Sequence, residues 1–182
     1  MNHSTEGVTL YAGFLSDLLA NYQQKPGAYI QPLFDMVKDV DLSNPTNLVP
    51  ISIYNAMCQW IEKNLGPANL RKAGEYIGAR AYDLMLQQRY ITSKASPQEI
   101  LKGLQKVASE SIQDPLGRGW EIVALEDKRA ALRRTQTFHP VLQEGLLKAL
   151  MKKGGQLTVT IRYLKSIAQG DEFDEHEVRW FR

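Results

Sequence analysis

Between Gln156 and Lys165 the side chains alternate strictly, with Leu157, Val159, Ile161 and Tyr163 on one face and Thr158, Thr160 and Arg162 on the other. That period of two describes a half-buried strand. Glu175 to Phe181 repeats it, setting His176, Val178 and Trp180 against Glu175, Glu177 and Arg179 across a connection that contains Gly170-Asp171. Two such runs joined by a turn predict an antiparallel hairpin over Gln156 to Phe181. A second hairpin is expected from Trp120 to Phe138, its strands Trp120 to Leu125 and Ala130 to Phe138 turning at Glu126-Asp127-Lys128. Between the hairpins, Val141, Leu142, Leu146, Leu147 and Leu150 mark a helix from Pro140 to Lys153, entered through Phe138-His139-Pro140 and stopped at Gly154-Gly155.

Upstream of Asp114-Pro115-Leu116-Gly117-Arg118-Gly119 the period changes to that of helices. Leu10, Phe14, Leu15, Leu18, Leu19 and Tyr22 predict a helix over Val8 to Tyr22, ended by Lys25-Pro26-Gly27. A weaker helix covers Tyr29 to Val37, and Asp39 to Leu48 reads as a loop. Pro50 is expected at the first position of a helix to Leu65, where its missing N–H costs nothing. Gly66-Pro67 separates it from a helix to about Gln88, on which Gly74 and Gly78, four residues apart, permit close approach of another helix. Ser96-Pro97-Gln98-Glu99 is a capping-box start for the next helix, with Ile100, Leu104, Val107, Ala108 and Ile112 as its buried stripe. The expected class is α+β: N-terminal helices packed on an antiparallel sheet of about four strands, with a helical extension at 1–48 and the main domain at 49–182.

The chain has 182 residues and a net charge of +2, from 22 basic and 20 acidic side chains. It has no broad positive field to attract nucleic acid. Cys58 is the only cysteine, which excludes an internal disulfide and a multi-cysteine metal site and suits a reducing cytoplasm. No signal-like N-terminus and no apolar run long enough to span a membrane is seen.

The order of helices, strand, strand, glycine-bearing helix, strand, Gly-Asp turn and closing strand resembles the 4-vinyl-reductase-type domains. Those domains share the ligand-binding fold of nitric-oxide signalling and Golgi-transport proteins. The resemblance is carried by Gly119 through Phe138, Gly145, Gly154-Gly155, Gly170-Asp171 and Val178-Arg179-Trp180. It implies an antiparallel sheet against helices, a homodimer, an apolar pocket for a small ligand, and sensing or regulation through a signalling partner. Many relatives carry cysteines where this chain has Thr137, His139, Ile167 and Asp174 in the corresponding neighbourhoods, so their metal or thiol chemistry is not expected. The Tyr-x-Ser-x-Arg signature of the haem-binding relatives is absent, and no cofactor is named.

Several side chains have two readings. Tyr54, Trp60, Tyr82, Trp120, His139 and Tyr163 are the candidate ligand-binding residues, yet large aromatics also fill cores. His139 either meets a ligand or marks a helix boundary, because a residue before proline is pushed into extended conformation. His139, Asp174 and His176 could serve a metal or enzymatic site, against the alternative that His176 with its acidic neighbours is a surface cluster. Cys58 is either modifiable or buried. Arg129 and Arg133 can share a strand face that excludes Arg134. No catalytic set can be assembled by spacing, so the expectation is a cytoplasmic, non-enzymatic sensory or regulatory domain; an interaction scaffold with a closed pocket is the alternative.

Overall fold

A computed structural model of the chain describes residues 4–23, 27–135 and 138–181. In chain order the elements are β1 (Thr9–Tyr11), α1 (Gly13–Ala20), a 3₁₀ turn leading into α2 (Gln31–Asp35), β2 (Leu48–Pro50), α3 (Ile51–Leu65), α4 (Pro67–Gln87), α5 (Pro97–Ser111), β3 (Ile112–Gln113), β4 (Trp120–Leu125), β5 (Arg129–Arg134), α6 (Pro140–Lys153), β6 (Thr158–Lys165) and β7 (Asp174–Phe181). The class is α+β, with helices packed on antiparallel sheets.

The two expected hairpins form, and they join edge to edge into one sheet of order β4-β5-β7-β6. The join is the antiparallel β5–β7 pair, which sets Ala130 opposite Val178, Leu132 opposite His176 and Arg134 opposite Asp174. The alternation then sorts the faces. Ala130, Leu132, His176, Val178, Trp180 and Val159 turn toward the helices and are buried, whereas Arg129, Arg133, Glu175, Glu177, Arg162 and Arg179 form ion pairs on the other side.

The α5 start follows its sequence closely. The Ser96 hydroxyl accepts from the Glu99 amide while the Glu99 carboxylate accepts from the Ser96 amide, so both capping-box bonds form. Ile100, Leu104, Val107 and Ala108 line its buried side.

The glycines of α4 meet α6. A Cβ at Gly74 would lie 2.0 Å from the Leu142 carbonyl oxygen, one at Gly78 2.2 Å from that of Leu146, and one at Gly145 2.0 Å from that of Arg71. The two helices therefore pack backbone to backbone, and only residues without a side chain fit at those three positions.

Four local expectations are corrected. Val8 to Tyr11 is not the start of a helix: Leu10 pairs with Val49 of β2 and Ile112 of β3 and is fully buried, because strand pairing overrides the local helical period. The result is a small sheet of order β2-β1-β3 that the sequence did not announce. Pro50 stands one residue before α3 with extended ψ, because it is also the last residue of β2. Strand β5 stops at Arg134 rather than Phe138, since Phe138 turns to rest its ring edge-on against Tyr54. Leu157 is 80% exposed, because it precedes β6 and only its amide, bonded to the Phe181 carbonyl, continues the ladder. The Lys25-Pro26 part of the expected helix stop lies outside the described residues.

Core packing is continuous through the chain: Leu10, Leu15, Leu18, Tyr22 and Leu33 join the same buried cluster as Tyr54, Ile77, Leu104, Leu147 and Trp180. Among the described residues no helix is long and apolar enough to cross a membrane.

Candidate functional site

One end of the large sheet carries polar side chains on its buried face. Arg134, at the end of β5, has a side chain 1% exposed. Its Nη2 donates to Asp174 Oδ2 at 2.9 Å and to the Phe138 carbonyl. The other Asp174 oxygen accepts from the Ile167 amide at 3.0 Å, which fixes the carboxylate. Among the described residues, Nε and Nη1 of Arg134 have no hydrogen-bond partner. Burial lowers the Arg134 pKa while the Asp174 charge opposes that shift.

Its neighbours repeat the pattern. His176 is fully enclosed between Tyr163, 4.7 Å away between ring centroids, and Trp120, 6.1 Å away, and neither ring nitrogen has a partner among the described residues. Burial and the adjacent Arg134 push its pKa down to about 4, against the pull of Asp174. On the helix side, Gln143 Oε1 and His139 Nδ1 are also buried without partners among the described residues. Tyr163 hydrogen-bonds Glu144 of α6, and burial is the main cause of its raised pKa. Buried polar atoms are nearly always satisfied, so a concentration of unsatisfied ones in one place marks a position that a polar guest or ordered water completes.

A cleft of about 510 Å³ lies between α5 and the turn leading into β4. Arg134, Phe138, Trp120, Ile112, Lys102 and Lys106 are among its lining residues. Lys106 also stands over the Tyr90 ring at 4.2 Å. In that turn Arg118 binds Asp114 at 2.8 Å, and on β4 Glu121 leans to Arg133 at 3.6 Å. The volume falls within the range of small-molecule sites.

The six candidate residues separate into groups. Trp120 lines the cleft, and Tyr163 lies behind it against His176. His139 sits at the α6 N-cap in extended conformation without capping the helix, and its Nε2 meets Glu62 of α3 at 3.1 Å. Burial lowers the His139 pKa more than Glu62 raises it. Tyr54 is wholly buried between Phe14 and Phe138, and Tyr82 is buried in the α4 part of the core. Trp60 is half-buried on α3. Cys58 has no exposure, and burial drives its thiol pKa up, which makes it a packing residue. His176 is buried, not part of a surface cluster, because its strand position faces the helices. Among the described residues no group of three or more His, Cys, Asp or Glu is arranged to hold a metal ion. Thr137 lies outside the described residues.

Sequence reasoning did not single out Arg134 or Gln143. The strand period does place Arg134 opposite Arg129 and Arg133, and that was the available signal: a lone arginine on the face that otherwise carries Ala130 and Leu132.

No family model matches the chain, and no curated protein matches it. Among solved structures it is similar to an H-NOX protein from Shewanella oneidensis in the Fe(II)NO ligation state, with a TM-score of 0.65 at 14% identity over 93% of this chain and 99% of that one. It is similar to an H-NOX protein variant from K. algicida, with a TM-score of 0.63 at 10% identity over 95% and 97%. The phenol-responsive sensory domain of the transcription activator PoxR, solved with phenol, gives 0.53 at 12% identity over 85% and 92%. These likenesses establish a fold shared with sensory domains.

The Fe(II) centre of the H-NOX structures does not fit this cleft. No histidine, cysteine, methionine or tyrosine is among its lining residues to ligate iron axially. His139 is engaged by Glu62, and His176 lies enclosed behind Trp120.

Proposed function

We propose that the chain is a non-enzymatic sensory domain that binds a small molecule in the cleft between α5 and the sheet and reports it through dimerisation and a protein partner in the cytoplasm. The observation that carries this is that Arg134, a buried cation whose Nε and Nη1 have no partner among the described residues, is one of the residues lining that cleft. A fold shared with the phenol-responsive domain and with H-NOX proteins supports it. The 4-vinyl-reductase-type affiliation belongs to the same reading and is supported by the hairpin, helix, hairpin order.

Native mass spectrometry of gently purified full-length chain tests it, because mass reports retained ligand and oligomer together. A dimer carrying a small molecule, lost when Ala108→Trp fills the cleft wall, is the expected result. A bare monomer whose mass and thermal stability do not change on exposure to a library of small carboxylates and phenols counts against it.

A further inference from the structure

Resting on that reading, we infer that the ligand is a carboxylate on an apolar body, its carboxylate received by Arg134 and its body lying against Trp120, Phe138 and Ile112. Arg134 keeps Nε and Nη1 without acceptors among the described residues although its side chain is 1% exposed. A buried guanidinium with free donors is an incomplete arrangement, and a carboxylate is the acceptor that matches its charge and geometry. Asp174 cannot swing across to complete it, because its second oxygen is held by the Ile167 amide.

Charge favours an anion and limits its valence. The groups around the cleft are Lys102 and Lys106 of α5, Arg118 held by Asp114, Glu121 drawn toward Arg133, and Arg134 with Asp174. The sum is positive, which attracts an anion. The Asp174 carboxylate on the same guanidinium repels a second negative charge, which selects a monoanion over a phosphate dianion. The rest of the wall, with Ala108, Ile112, Trp120 and Phe138, offers apolar surface that a bare small ion would leave uncovered.

Isothermal titration of the full chain with benzoate, benzyl alcohol and inorganic phosphate separates the possibilities. Benzoate is expected to bind saturably and on the order of tenfold more tightly than benzyl alcohol, the equal-sized neutral analogue. In Lys102→Gln/Lys106→Gln, whose exposed changes spare the core, benzoate binding weakens and loses part of its salt dependence. In Arg134→Lys, checked for native near-ultraviolet dichroism, the preference over benzyl alcohol falls. If Arg134→Lys does not fold, Lys102→Gln/Lys106→Gln and the three-probe comparison decide alone. Equal binding of benzoate and benzyl alcohol overturns the anion subsite and leaves the small-molecule cleft standing. Tighter binding of phosphate overturns the carboxylate class. Binding of none of the three overturns both the subsite and the sensory reading.

Discussion

His176 is a neutral imidazole enclosed by aromatic rings, and its burial has a direction in pH. Its pKa is about 4 in the folded chain against 6.5 for the free side chain. Between those values the unfolded chain binds the extra proton, so stability rises with pH there and falls as pH drops from about 6.5 toward 4, by on the order of 3 kcal/mol over the full interval. Of the charged groups facing it, Arg134 acts with burial to lower the pKa, and Asp174 raises it without overcoming them. His176→Phe removes two unpartnered ring nitrogens and keeps the ring, so urea midpoints at neutral pH should hold or rise while the decline between pH 6.5 and 4 flattens. A variant with the wild-type decline would mean that another group titrates. Arg134 gives the second residue-scale prediction. Arg134→Met leaves Asp174 buried as an uncompensated charge and should cost about 3–5 kcal/mol, whereas Arg134→Met/Asp174→Leu should recover most of it. Chemical denaturation of both variants measures that difference. Neither role was legible from spacing, because Asp174 lies 40 residues from Arg134 and the rings that enclose His176 belong to Trp120 and Tyr163 on other strands, brought together by pairings that only the folded sheet creates.

Elements were more legible where the signal was local. The capping box at Ser96 and the alternation in β6 and β7 are satisfied within a few residues of themselves, so the sequence carries them in full. β1 was read as helix because Leu10, Phe14 and Leu18 keep a helical spacing, while the pairing that makes Thr9–Tyr11 a strand comes from β2 and β3, about 40 and 100 residues away. The glycines of α4 announced a close helix contact but not its partner, which the structure supplies as Gly145 and the backbone of α6. At Gly145 two effects oppose each other. Alanine gains about 0.5–1 kcal/mol in helix propensity, yet its Cβ would stand 2.0 Å from the Arg71 carbonyl oxygen. Overpacking costs about 1–3 kcal/mol in general, and a backbone obstacle that no rotamer relieves belongs at the upper end. Gly145→Ala should therefore lower the melting temperature, and Gly119→Ala, with nothing within 4 Å of its added Cβ, should leave it nearly unchanged. Equal melting temperatures would show that α4 and α6 can separate at little cost.

At the scale of the whole molecule, the N-terminal segment decides whether the cleft beside α5 is supported by one cooperative body. Residues 1–48 carry β1, the middle strand of the β2-β1-β3 sheet, and β3 follows directly from α5, the helix that walls the cleft. The segment also buries Leu10, Leu15, Leu18, Leu19, Tyr22 and Leu33 in the shared core. At about 1.5–3 kcal/mol for each fully buried large apolar side chain, losing these six removes an amount comparable with the about 5–15 kcal/mol that keeps a typical domain folded. It also exposes the apolar surfaces of α3 and α4 on which they rest. The charge interactions bridging the segment to the remainder, such as half-buried Asp17 with exposed Arg80 at 3.5 Å, are weak by comparison, so burial decides the outcome. The fragment 49–182 is accordingly expected to be unfolded or aggregated, with no cooperative thermal transition and no benzoate binding, whereas the full chain unfolds in one transition monitored alike by tryptophan fluorescence and far-ultraviolet dichroism. A fragment that melts cooperatively and binds benzoate as the full chain does would make residues 1–48 a separable extension, and the cleft would then owe nothing to the strand that pairs beside α5.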